Sequence, residues 1–328
     1  MASSGWVEDA KGALDALADV VDGELAGDAP RVLAAHHPTA RWYAVGPDGT
    51  LSSGLVADAS ARPFARVDRA APPASISAHA RRMNRVVETG RLEGAPGTPQ
   101  NGVLVWARCE TCVPASDDED APGPPRLEHA SLLLVLFKCP EGWRVISHVR
   151  EARDVTDRAG GFGPDVPPAA LVGDDAAQDA AARADDARAG AMGAVADYFR
   201  FGHAADADAM PGCYHPGTRL TAPAPDLDAA SSPAGHAGVF LIPFDDFMRR
   251  VGARPNTEED PRVKRYDNRC VAFSSGGSSS ALVVCHIAYP PILFTDVLTL
   301  LEFADEPGGE RRWRIVCKSS VSAKCPKA

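Results

Sequence analysis

The pattern of apolar and polar positions along this chain occurs twice. Near the start, Leu14, Leu17, Val21 and Leu25 recur at three- or four-residue spacing and draw one apolar stripe along a helix. At an offset of 178, Met192, Val195, Phe199 and His203 stand in the same register. A short second helix is predicted at Pro30 to His36 and at Asp208 to Tyr214, each followed by His-Pro and a strand, "TARWYAV" or "TRLTAPA". The residue before proline is pushed out of helical space, so His-Pro marks where helix becomes strand. A third helix is predicted from Pro63 and from Pro243, since proline suits the first helical turn. Beyond it the apolar positions crowd into β-rich runs: "NRVVETG", "GVLVWARC", "HASLLLVLFK" and "WRVISHV", then "NRCVAFSS", "SALVVCHIAY", "DVLTLLEF" and "WRIVCKSS". The turn sequences "CPEG" and "ADEPGGE" join the last two runs of each set as a hairpin. Helices followed by a mainly antiparallel sheet make an α+β arrangement.

The two sets align as sequences. Residues 16–44 match residues 194–222 without a gap at ten of 29 positions, among them Asp19, Asp28, His37, Pro38 and Arg41. Further anchors follow in the same order: Pro63-Phe64 with Pro243-Phe244, "NRVV" with "NRCV", and "WRVISH" at 143–148 with "WRIVCK" at 313–318. Ordered anchors with drifting loop lengths are the mark of a tandem duplication. The expected organisation is a first domain over residues 1–153, a linker over 154–175 and a second domain over 176–328. Gly and Pro dominate the start of the intervening stretch, and the Ala-, Asp- and Arg-rich remainder is expected to extend the first helix of the second copy.

Length fits this division, because 328 residues exceed one core of ordinary size, about 150 residues. A 45% hydrophobic share is that of a globular protein, and no apolar run approaches the roughly 20 residues of a membrane span. A net charge of -10 without a Lys/Arg stripe excludes nucleic acid and anionic membranes as expected partners. The start lacks a basic region followed by an apolar one, and the eight cysteines are scattered through apolar runs, which points to the reducing cytoplasm.

In the second copy, "YHP" after a short helix, and later Asp296, Leu298, Thr299, Leu300, Leu301, Trp313, Ile315 and Lys318, resemble the NTF2-like superfamily. Within it they are most similar to the SnoaL-like and "putative lumazine-binding" branch, whose members end in D-x-L-T-L-L...W-x-I-x-x-K. The first copy departs from that pattern: Ala130 stands in place of Asp296, His148 in place of Lys318, and an acidic, Pro-rich insertion "VPASDDEDAPGPPR" separates two strands. The resemblance implies two cone-shaped domains, each of three helices packed on a curved sheet with a pocket at the open end. It also implies that the domains pair as an intramolecular pseudo-dimer, and it leaves a homo-oligomer open.

Several residues carry chemistry. His37 and His215 repeat at the helix-to-strand corner and are read as turn devices, and Arg41 and Arg219 as strand-borne partners of acids on the sheet rim. "CETC" at 109–112 has the spacing of a metal or redox pair, but no second pair matches it and it closes a strand, so it is read as two ordinary thiols and no metal is expected. No Walker, G-x-G-x-x-G, H-E-x-x-H or G-x-S-x-G sequence occurs, and no cofactor is expected. His203 stands where Leu25 does in the first copy, an imidazole in a core register. A hairpin through "YPPILF" is expected to set Asp296 opposite Ala288 and His286 opposite Leu298, making Asp296 and His286 diagonal neighbours. Tyr198 and Tyr214 are candidate pocket walls.

Three functions follow from these residues. The first is a module binding a small, largely apolar or aromatic molecule in the second copy through Tyr198, Tyr214, His286 and Asp296, with the first copy as its structural partner. The second is a cofactor-independent isomerase, dehydratase or cyclase using Asp296 with His203 or His286. The third is a protein-interaction scaffold. The pocket is expected in the second copy, because Leu25 and Ala130 let the first close as an apolar core.

Overall fold

The computed structural model describes residues 4–45, 49–58, 84–98, 100–114, 127–156, 174–227, 237–264, 269–275, 279–305 and 309–325. In the first half, α1 (Ser4–Ala26) and α2 (Ala29–Ala35) lead into β1 (His36–Val45) and β2 (Leu51–Leu55), then β3 (Arg85–Glu93), β4 (Val103–Pro114), β5 (Leu127–Cys139) and β6 (Gly142–Thr156). In the second half, α3 (Asp174–Ala204) is followed by a 3-10 turn (Met210–Cys213), β7 (Tyr214–Ala224), β8 (Gly238–Ile242), α4 (Phe244–Gly252) and α5 (Pro261–Lys264). Strands β9 (Arg269–Ser275), β10 (Ser280–Tyr289), β11 (Ile292–Phe303) and β12 (Arg312–Lys324) complete it.

The duplication is visible in the topology. The first sheet runs β2-β1-β6-β5-β4-β3 and the second β8-β7-β12-β11-β10-β9, the same order shifted by six strands. In each, one parallel contact, β1 with β6 or β7 with β12, interrupts an otherwise antiparallel ladder. His37 and His215 are each the second residue of the first strand of their sheet. Each ring binds the chain two residues on: Thr39 N donates to His37 Nδ1 at 3.2 Å and Gly217 N to His215 Nδ1 at 3.0 Å. These are the local turn devices that the repeat predicts.

The short strands β2 and β8 escape the apolar pattern, because five residues at a sheet edge carry little periodicity. The helix from Pro243 is present as α4, whereas the one expected from Pro63 and most of the acidic insertion lie outside the described residues. The stripe on α1 is rotated from the expected one. Leu14 is 51% exposed, and the buried face is Ala13, Leu17, Val20, Val21 and Glu24.

Each sheet has two apolar faces. One packs on its own helices: α1 covers Val105, Ala107, Leu132, Leu134 and Val145, while α3 covers Val283, Cys285, Leu298 and Leu300. The other faces meet in a shared core, with Tyr43, Trp106, Leu133 and Phe137 packed with Leu282, Val284, Val297 and Leu301. Polar contacts edge this core. Arg41 Nη1 donates to Gly217 O at 3.0 Å, Ser279 N to Glu151 Oε1 at 3.0 Å, and Thr98 Oγ1 to Ser322 O at 2.8 Å. Arg41 is therefore spent on a carbonyl of the other half rather than on an acid at its own sheet rim.

Candidate functional site

The helix-covered interior of the second half carries a polar cluster built on Asp296. Strand β11 places this residue at full burial, paired across the ladders with Cys285 on β10 and Ser320 on β12. Side chains alternate along a strand, so Asp296 shares its face with Leu298 and Leu300, under α3. Tyr198 on α3 donates its hydroxyl to Asp296 Oδ2 at 2.7 Å, Ser320 Oγ donates to Oδ1 at 2.6 Å, and Lys318 makes a buried ion pair with Oδ1. Lys318 Nζ also donates to Ser320 Oγ at 2.8 Å. Desolvation of a carboxylate is thus offset by three donors, one of them charged.

Tyr214 joins the cluster from the first residue of β7. Its ring stands edge-on to that of Tyr198, centroids 6.2 Å apart, and edge-on to Phe244 and Phe247 of α4. Its hydroxyl is buried without a hydrogen-bond partner among the described residues. Burial, and the Asp296 charge after it, push both tyrosine hydroxyls well above their ordinary range, so both stay protonated donors.

The histidines fall elsewhere. The β10–β11 hairpin turns through Pro290 and Pro291 alone, which pairs Tyr289 with Ile292, His286 with Thr295 and Cys285 with Asp296. This register differs by three from the expected one, and an odd shift sends a side chain to the other face. His286 therefore lies across the sheet from Asp296, its Nδ1 3.0 Å from Thr295 Oγ1. The expected Asp296–His286 pairing is corrected on that ground. His203, at the end of α3, is buried with Nδ1 3.0 Å from Thr257 Oγ1, and its ring lies 5.5 Å from that of Tyr289. Neither histidine is among the hydrogen-bond partners of Asp296.

His203 opens instead onto a groove of about 490 Å³ between α3 and residues 257–263. Met192, Val195, Phe199 and Val263 give it apolar walls, while Thr257 and Glu258 sit at the polar side. Thr257 and Ser320 have no motif to announce them. Lys318, visible in the W-x-I-x-x-K pattern, finds its role only through its contact with Asp296.

The first half is not the plain apolar core expected from Leu25 and Ala130. Glu24, Thr111, His148 and Arg150 are buried under α1, with His36 beside them. Arg150 Nη1 donates to Glu24 Oε2 at 3.1 Å and contacts Thr111 Oγ1 at 3.4 Å. Glu24 sits three residues beyond Val21 on the buried helix face, a signal the chosen apolar stripe passed over. The Cys109 and Cys112 side chains of "CETC" are buried thiols outside any disulfide, pushed by that burial up to about 12 and about 11, so both remain protonated at neutral pH.

Sequence comparison fits this interior. Residues 186–319 match the model of a family described as "Putative lumazine-binding". The match lies in the second half and spans less than half of the chain. Among solved structures, an NTF2-like protein from Silicibacter pomeroyi is 17% identical, over 43% of this chain and 98% of its own, with a TM-score of 0.32. One from Shewanella baltica is 16% identical over 46% and 99%, TM-score 0.29. A ketosteroid isomerase-like protein from Erwinia carotovora atroseptica is 12% identical over 43% and 94%, TM-score 0.24. No curated protein matches the chain. No helix among the described residues is long and apolar enough to cross a membrane.

Proposed function

We propose that the second half of the chain binds a small, largely apolar or aromatic molecule in the groove along α3, with His203 as its polar anchor. The observation that carries this reading is the groove itself: about 490 Å³, within the range of small-molecule sites, walled by Met192, Val195, Phe199 and Val263 and closed at one side by the His203–Thr257 pair. A planar heteroaromatic ring would stack or edge onto Phe199 and take a hydrogen bond at His203. The Asp296 cluster serves as a buried polar support beneath the helix, holding Tyr198 and so the register of α3 against the sheet.

Binding is favoured over catalysis because the carboxylate that an isomerase or dehydratase would use is already engaged. Oδ1 takes Lys318 and Ser320 and Oδ2 takes Tyr198, so neither His203 nor His286 stands beside Asp296 to complete an acid-base pair.

The family description makes lumazine the first probe, followed by a panel of bicyclic aromatic compounds, titrated by calorimetry. At least one member is expected to bind in the micromolar range, with His203→Gln and Phe199→Leu each weakening it ten-fold or more while circular dichroism shows the fold retained. A panel without a binder, or a binder indifferent to both variants, refutes the groove as the site.

A further inference from the structure

Arg41 and Arg219 are equivalent residues, separated by the 178-residue offset and placed alike in the first strand of their sheets. Both leave their strands on the side where the two halves meet. Arg41 shares a face of β1 with Tyr43, Arg219 pairs across the ladder with Cys317, and Tyr43 and Cys317 both belong to the core that the two sheets share.

Arg41 reaches across to the strand that carries Arg219. Its Nη1 donates to Gly217 O at 3.0 Å, and a Cβ built on Gly217 would stand 3.7 Å from the same nitrogen. The side-chain direction of position 217 is thus aimed at the Arg41 guanidinium, and position 219, two residues on along the strand, has the same direction. The matching bond from the other half is not made. Thr39 holds the Gly217 position in β1, and the Arg219 side chain donates neither to it nor to any other described residue. Arg41 Nε is likewise buried without a hydrogen-bond partner among the described residues.

The charges around the pair do not offset it. No described carboxylate forms an ion pair with Arg41 or Arg219, in a chain whose net charge is -10. Asp305, the acid felt by His215, is held at both oxygens by Arg314, at 2.6 and 2.9 Å. His215 itself takes the Gly217 N–H at Nδ1, and burial, then Arg314 and Arg41, push it below the ordinary histidine range. Burial, then Arg41, lower Arg219 from its ordinary value, so the two cations oppose one another.

We propose that Arg41 and Arg219 form an anion site at the junction of the two sheets, which takes a doubly charged oxyanion of the phosphate class between the two guanidinium groups. An arginine fork presents parallel N–H donors matched to two oxygens of one phosphate, and two forks match its two charges. Arg219 offers its whole fork, and Arg41 the donors that Gly217 leaves over. Both side chains are half-buried, which keeps a route to solvent and strengthens attraction relative to open water. The site is a product of the duplication, since each half supplies one arginine. It lies on the opposite side of the second sheet from the groove under α3 and stands independently of it.

The test is calorimetric titration of the full chain with sodium phosphate at pH 7.5, with acetate and chloride at equal ionic strength as controls, repeated on Arg41→Gln and Arg219→Gln. Phosphate is expected to bind at one equivalent per chain, at least ten-fold tighter than acetate, and each variant should weaken it at least ten-fold. Arg219→Gln gives up no side-chain hydrogen bond or ion pair, so without phosphate it should melt no lower than the wild type. Phosphate should then raise the melting temperature of the wild type and not of this variant. Glycerol 3-phosphate in a parallel titration distinguishes a free ion from a phosphate ester: the tighter of the two is the occupant, and either one bears the proposal out. Phosphate and its ester binding no tighter than acetate, an affinity within two-fold of the wild type in Arg219→Gln, or a lower melting temperature of that variant without phosphate would each overturn it.

Discussion

Replacing Lys318 with Met tests the logic of the Asp296 cluster most directly. Methionine keeps the length of the stem and removes the charge, leaving a fully buried carboxylate supported by Tyr198 and Ser320 alone. Breaking a buried ion pair from one side costs about 3–5 kcal/mol. Two remaining hydrogen bonds to the charge place this case at the lower end, about 3 kcal/mol. The same substitution in an Asp296→Asn background removes no counter-charge. It costs at most the Lys318–Ser320 hydrogen bond, about 1 kcal/mol, because the lysine there is itself a buried charge without its partner. The coupling between the two positions is therefore at least about 2 kcal/mol, inside the range for directly interacting residues. Urea unfolding of the four proteins at pH 7, followed by circular dichroism, measures it. If Lys318→Met costs the same in both backgrounds, or less than about 1 kcal/mol in the wild type, the Asp296 charge is not held by this lysine and the account of the cluster fails.

Two further outcomes are expected. His36 titrates near 6.5 when unfolded and near 4 when folded, so the unfolded chain binds the extra proton between these values. Stability supplied by its burial is complete above about pH 6.5 and falls by roughly 3 kcal/mol on descent to pH 4, and a urea midpoint that stays flat from pH 7.5 to 4.5 would contradict it. At Gly202 an added Cβ would stand 2.5 Å from the Tyr289 hydroxyl, and that ring is pinned between His203 and Arg254. Gly202→Ala should therefore cost about 1–3 kcal/mol despite its helical position, and a gain in melting temperature would show that the ring is free to move.

The sequence by itself determined the architecture, since repeated anchors from His-Pro to the closing Trp-Arg pair mark one unit used twice, and the two sheets duly share one strand order. Local rules sufficed there, because helix stripes, proline boundaries and hairpin turns are properties of neighbouring residues. Asp296 stood out in the same way, as an acid in a strand otherwise rich in Leu and Val. Its partners did not. The two-proline turn set a ladder register three residues from the expected one, and parity then put His286 across the sheet from it. Tyr198, Lys318 and Ser320 reach it from a helix and from the neighbouring strand, 98, 22 and 24 residues away in the chain, and nothing in local periodicity links such positions. Glu24 shows the same limit from the other side. Its rotation into the core follows from the way α1 seats on the first sheet, where Arg150 and His148 wait, 126 and 124 residues on. A buried charge is stable only with its partner in place, and it is the packing of distant elements, not their sequence, that supplies the partner.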